Sequence, residues 1–227
     1  VYFHPAYLLA FEAEGRGEAF CAAWEEGSRL WLYPYLRHPL QDHFYDVETP
    51  YGYGGPVINE EGEDLSFLEE AWRRWASWCA ETGAVSEFAR FHPVIENVKW
   101  ASPDMRLILD RSTIPMLLDR YPLAVWNDAY YRRHRHMIRK AEREECRFEI
   151  LSATEQLEWF VAMYADTQDR LLAKEDTRFG RAYFTTLSRE LGERAWIAVV
   201  RLMGQVVAAV FVIESDFFAH SHLMGDR

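Results

Sequence analysis

The sequence predicts an α/β (α+β) chain of two units, residues 1–115 and 116–227, each a mixed, mostly antiparallel sheet flanked by helices. Three observations point there. Short apolar runs with strand character alternate with longer stretches whose apolar residues recur every three to four positions. Pro and Gly cluster most tightly in one place, Thr49 to Gly62. The mixture of helices and meander-like strands in the first half then recurs in the second. The last strand ends at Gly225-Asp226-Arg227 with no closing helix, so the chain is expected to stop inside its second unit.

Taken in order, Ala19–Trp24 and Arg29–Leu36 flank a turn of composition EEGS and read as a hairpin. Phe44–Val47 is a third, short strand. Past the Gly-rich loop, Ser66 and Glu69 form a capping box. Leu68, Ala71, Trp72, Trp75 and Cys79 follow at helical spacing until Gly83. The four aromatic residues Phe67, Trp72, Trp75 and Trp78 are expected in the core. Val85–Phe91 and Met105–Leu109 return to strand. A polar start at Asn127-Asp128 opens a helix to about Glu145, and Phe148–Leu151 is the next strand. Ser152 with Glu155 caps a helix carrying Leu157, Phe160, Val161, Tyr164 and Leu171. Another helix spans residues 182–191 and closes at Gly192. Ala195–Leu202 and Gln205–Ile213 pair about Met203-Gly204, and Phe217–Leu223 comes last. Val and Ala on both faces of these strands suggest a sheet covered by helices.

Composition narrows the functional classes. Of 227 residues, 25 are Lys or Arg and 36 are Asp or Glu, a net charge of −11. At ~150 residues per domain this is one large domain or two small ones. Nucleic-acid binding through the overall field, and DNA as a partner, are excluded. Three cysteines, Cys21, Cys79 and Cys146, are odd in number and lack a CxxC spacing, which favours a reducing compartment over disulfides or a zinc site. No apolar stretch approaches ~18 residues, so no membrane span is expected. The first residues lack the pattern of a signal peptide. A cytoplasmic location is the expectation.

Two local features carry chemistry. Residues 131–140, YRRHRHMIRK, hold five Arg or Lys and no acid. At ~100° per residue, Arg132, Arg135, His136, Arg139 and Arg143 share an arc of roughly 100°. Tyr130, His134, Met137, Ile138 and Ala141 lie opposite, as a packing face on which His134 would be a core histidine. Guanidinium forks bind phosphate or carboxylate bidentately, so the stripe suits a pyrophosphate or a nucleic-acid backbone. The alternative is a solvated face paired with acids. The second feature is Pro50-Tyr51-Gly52-Tyr53-Gly54-Gly55-Pro56, whose glycines allow positive φ and close approach to a ligand. It is neither GxGxxG nor a P-loop, and a tight structural turn is the competing reading. His220 and His222 point to one face of a strand but lack a third metal ligand. No GxSxG elbow or activated cysteine exists, so no covalent nucleophile is indicated and the catalytic residues stay unassigned.

Taken together, these landmarks resemble the FemAB-like branch of the GNAT acyltransferase superfamily. The matching stretches are Tyr45–Pro56, the Arg-rich helix ending Ile138-Arg139-Lys140-Ala141-Glu142, and Tyr164–Arg170. Tyr183-Phe184, Gly204–Ala209 and His220–Gly225 follow in the same order. The resemblance implies two GNAT-like units, the second cut short, with an acceptor held in the cleft between them. It implies transfer of an aminoacyl or acyl group to an amine of a small-molecule or precursor-peptide acceptor, such as a peptidoglycan (cell-wall) precursor bearing phosphate. The donor would be aminoacyl-tRNA or acetyl-CoA, with no permanently bound cofactor and no metal. Acetyl-CoA users carry a Q/R-x-x-G-x-G/A loop opening a helix. The nearest string here, Arg189–Arg194, closes one instead, and family topology puts the donor loop after the strand ending near Leu223.

Acyl transfer by this fold is direct attack of a neutral amine, with backbone N–H groups at a splayed strand polarising the carbonyl. On the resemblance, the acceptor rests against Tyr51, Gly52, Tyr53, Gly54 and Gly55. Arg135, Arg139 and Lys140, with Arg37 across the cleft, meet its phosphates. Thr167, Arg170 and His222 complete the wall, although Arg170 could instead pair with Asp166 or Asp169.

Overall fold

The computed structural model describes residues 1–227, apart from the side chain of Asp176. Two compact units, Val1–Asp110 and Arg111–Arg227, make up the chain. Among the described residues no helix is long and apolar enough to cross a membrane.

The first unit runs α1 (Pro5–Ala13), β1 (Glu18–Glu26), β2 (Arg29–Pro39), β3 (Tyr45–Glu48), β4 (Val57–Ile58), α2 (Leu65–Thr82) and β5 (Ala84–Phe88). Its sheet has the order β1-β2-β3-β5, with β4 paired to β2. All pairs are antiparallel except β3 with β5. The expected hairpin is present, its register running from Glu18 opposite Arg37 to Glu26 opposite Arg29. Helix α1 has no periodic signature, because Ala6, Tyr7, Leu8, Ala10 and Phe11 bury it on several sides. Only Pro5 at its start announces it.

Helix α2 packs its stripe on the sheet. Trp72 meets Trp31 and Tyr33 edge-on at 5.3 and 5.6 Å, and Trp75 meets Tyr33 and Tyr35 at 5.3 and 5.1 Å. Trp78 was expected beside them but stands 53% exposed, off the stripe. The helix is capped by Asp64, whose carboxylate accepts from the Phe67 N–H at 2.9 Å and from the Ser66 hydroxyl at 2.6 Å. Ser66 is therefore not the cap; Asp64 stands two residues earlier and outcompetes it as a charged acceptor. Gly83 ends the helix in the left-handed region, φ 94°. Met105–Leu109 is not a strand. Leu107, Ile108 and Leu109 are exposed and find no ladder, so β propensity alone builds nothing there.

The second unit runs α3 (Pro122–Asp128), α4 (Arg132–Arg143), β6 (Arg147–Ser152), α5 (Ala153–Arg170), α6 (Arg181–Leu191), β7 (Ala195–Leu202), β8 (Gln205–Glu214) and β9 (Ala219–Asp226). The sheet order is β6-β7-β8-β9, antiparallel throughout. Asn127-Asp128 ends a helix rather than opening one: the expected single helix is broken at residues 129–131. Ser152 caps α5 as expected, accepting from the Glu155 N–H at 3.4 Å. Strand β9 starts and ends later than the apolar run suggested.

One face of this sheet is covered. Ile197, Val199, Ala209, Phe211 and Ile213 are buried, and Phe211 packs with Phe160 of α5 and Phe184 of α6 at 5.7 and 5.2 Å. The opposite face is not helix-covered as expected, since Phe148, Ile150 and Met224 are exposed. The fold is thus mixed α/β, with two sheets flanked by helices.

Candidate functional site

In the first unit the loop after β3 is fixed from two sides. Thr49 is buried; its N–H donates to Phe88 O at 3.0 Å and its hydroxyl accepts from the Arg90 N–H at 2.9 Å. Gly54 N–H donates to Arg90 O at 2.7 Å, making a parallel bridge with the segment after β5. Asn97, fully buried, completes the knot. Its amide donates to Gly54 O and Pro56 O at 2.8 and 2.9 Å, and its carbonyl accepts from His92 N–H at 2.7 Å. Three protein bonds leave this amide well satisfied, as a buried group requires.

Each glycine has its own reason. Gly52 and Gly55 have φ of +102° and +90°. Gly54 does not adopt positive φ, contrary to the expectation for this loop. A Cβ there would lie 2.6 Å from Thr49 Cβ, so space alone demands glycine. The Tyr53 ring packs on Tyr2 at 5.3 Å and on His92 at 4.9 Å. Burial pulls His92 down to about 4, so it is neutral at pH 7. Its Nδ1 accepts from the Val94 N–H at 3.2 Å. Tyr51 holds its carbonyl to the Tyr7 hydroxyl at 2.5 Å, while its ring is exposed with the Arg90 guanidinium 5.7 Å away. Of the loop, therefore, the Tyr51 ring is the part turned to solution. Arg90, His92 and Asn97 were not anticipated, because they join the loop across some forty residues with no local pattern. Arg37 sits on the sheet, bonded to its ladder partner Glu18 at 2.7 Å and lying over Phe20 at 4.5 Å.

In the second unit the basic stripe is partly engaged within its own neighbourhood. Arg135 Nη1 donates to the carbonyls of Trp126, Asn127 and Tyr130 at 3.2, 2.8 and 2.7 Å. The Trp126 and Asn127 carbonyls end α3 and the Tyr130 carbonyl lies in the break, so one guanidinium supplies donors to groups left without helical partners. Arg139 lies 5.7 Å over Trp126, and Lys140 is 3.6 Å from Glu144. No residue of α4 is buried, and His134 is exposed rather than in a core. The face expected to pack is only half covered at Ile138 and Ala141.

Thr167 and Arg170 are brought together on the end of β9. The Thr167 hydroxyl is 2.9 Å from Met163 O, the ordinary back-bond of a helical threonine, and accepts from the Asp226 N–H at 2.9 Å. Arg170 pairs with the Asp226 carboxylate, not with Asp166 or Asp169; Asp169 pairs with Arg178. Gly225 lets this strand approach, since a Cβ would sit 3.1 Å from the Met163 backbone. His222 stands elsewhere on β9. The β8–β9 register steps from Val212 opposite Ser221 to Phe211 opposite Leu223, so His222 is the inserted residue of a bulge. Its Nε2 is 2.7 Å from the hydroxyl of the buried Tyr183 of α6. Burial, with His220 nearby, brings His222 down to about 3. The uncharged imidazole shares one proton with the phenol across this contact, with the direction of donation set by the tautomer.

Comparison with known proteins bears on this second unit. Residues 129–225 match a family model described as an acetyltransferase (GNAT) domain. Among solved structures, one match is the C-terminal DUF2156 domain of a protein assigned as a lysylphosphatidylglycerol synthetase from Agrobacterium fabrum. It is 15% identical, with 91% of this chain and 60% of that chain covered, at a TM-score of 0.43. No curated protein matches. The similarity of residues 129–225 to the GNAT acetyltransferases therefore reaches the superfamily, and the FemAB-like branch within it stands outside what that match covers.

Proposed function

We propose that this protein is a GNAT-type acyltransferase that moves an aminoacyl or acyl group onto an amine of a phosphate-bearing acceptor, such as a cell-envelope precursor. The observation that supports it most is the GNAT match over a unit whose bulged strand sets His222 against Tyr183. In such a transfer the amine lone pair forms a C–N bond, the ester or thioester bond breaks, and the amine gives up one proton. The neutral His222–Tyr183 pair would relay that proton to the leaving oxygen or sulfur, one proton entering the pair as another leaves, so that no imidazolium builds up. A bulge re-aims backbone groups out of the regular ladder and so supports stabilisation of the oxyanion. Arg139 and Lys140 remain candidates for the acceptor's phosphates.

The test is transfer itself. The protein is incubated with acetyl-CoA or aminoacyl-tRNA and an amine-bearing UDP-linked precursor, and the product is followed by mass spectrometry. Acylated product should form with one donor. Replacing Tyr183→Phe should lower kcat by about 10²-fold, the usual worth of a positioned proton-transfer group, with a smaller change in KM. Absence of product with both donors, or a Tyr183→Phe enzyme of unchanged kcat, overturns the proposal. The description of the matched domain as an acetyltransferase makes acetyl-CoA the first arm to try.

A further inference from the structure

Residues 111–143 hold eight Arg or Lys against three acids, in a chain of net −11. This excess of positive charge has an unusual companion. Immediately before α3 and α4, the irregular segment 111–121 turns its apolar side chains outward: Ile114 is 91% exposed, Leu118 70% and Tyr121 86%, with Leu117 and Leu123 exposed beside them. Exposed apolar residues are ordinary when scattered, but a consecutive run is not, because nothing repays its contact with water. On α4, Met137 is exposed on the side opposite Arg132, Arg139 and Arg143. Cations and outward apolar side chains therefore occupy one continuous stretch of chain.

We propose that residues 111–143 dock this protein on an anionic lipid bilayer, as an interfacial and not a spanning contact. Charge complementarity selects that occupant. A cationic stretch is drawn to the negative leaflet within about a Debye length, and neighbouring Leu, Ile and Tyr side chains then bury in the headgroup and acyl boundary. Nucleic acid would engage the arginines but would leave Ile114, Leu117 and Leu118 in water. A second protein would not need the positive excess. The contact adds to the proposed acyl transfer and does not depend on it: Arg132 and Arg133, both exposed, have no part in the His222–Tyr183 pair.

Co-sedimentation with vesicles tests it. The protein should partition onto phosphatidylcholine–phosphatidylglycerol vesicles, not onto phosphatidylcholine alone, and binding should fall as salt rises. Arg132→Gln with Arg133→Gln should lower the partition roughly 25-fold at low salt, at about fivefold per basic residue. Ile114→Ser with Leu118→Ser should lower it by roughly tenfold or more through lost apolar burial. All four positions are exposed, and matched circular dichroism spectra would confirm folding. Equal binding to both vesicle types, or no binding at low salt, overturns the docking. So does an Ile114→Ser/Leu118→Ser protein that binds like the parent while transfer RNA displaces it, which would make the patch a nucleic-acid site.

Discussion

At Gly54 the constraint is space, whereas Gly52 and Gly55 are also held at positive φ. Alanine at residue 54 would drive its Cβ into Thr49, which is buried and bonded and so has little room to turn. We expect Gly54→Ala to lower the stability of the first unit by about 1–3 kcal/mol, the usual cost of overpacking, read from urea unfolding. An unchanged midpoint would mean that Thr49 yields freely. Asn97 shows why the loop was only half legible. Its three bonds decide the path of Gly54 to Pro56, yet it lies some forty residues further on and looks like any polar loop residue. The glycines and tyrosines could be read as a special loop; what holds the loop could not.

Among the elements, α2 shows a boundary decided by competition between caps. Both Asp64 and Ser66 have short oxygen side chains, and Ser66 with Glu69 fits the capping-box spacing. The carboxylate wins, and it takes the Ser66 hydroxyl as a second donor. Asp64→Ala should therefore cost about 1 kcal/mol in urea unfolding, and Ser66→Ala clearly less. The opposite order would restore Ser66 as the cap. The break between α3 and α4 has a similar origin. Residues 127–145 carry no Pro or Gly to stop a helix, so sequence reads them as continuous. Arg135, reaching back to three carbonyls, makes the break favourable, and that contact is tertiary in kind even though it is close in sequence.

For the molecule as a whole, each unit contains one histidine that burial keeps neutral, His92 at about 4 and His222 at about 3. An unfolded histidine titrates near 6.5. Below that pH the unfolded chain binds protons that the folded chain refuses, so stability falls as pH drops from about 6.5. The fall continues to about 4 for His92 and about 3 for His222, and above pH 7 these groups contribute no slope. His92 alone should cost about 1.5 kcal/mol between pH 6.5 and 5. A His92→Asn variant keeps a side-chain acceptor for the Val94 N–H and removes the titration. Its melting temperature should fall less than the parent's between pH 7 and 5; an equally steep fall would show that His92 does not supply the slope.

By itself the sequence determined the fold class, the β1–β2 and β7–β8 hairpins, the Gly83 and Gly192 helix ends and the Ser152 cap. Each of these depends on side-chain period or on residues a few positions apart, and such local rules act before any long-range contact forms. It also determined that positive charge gathers in residues 131–140. Only the tertiary structure decided which arginines that charge leaves exposed, that Arg170 pairs with Asp226, and that His222 occupies a bulge facing Tyr183. The last two outcomes join residues 39 to 56 positions apart. Partners at that distance are chosen by packing and by the need to satisfy buried polar groups, and neither is written in local spacing.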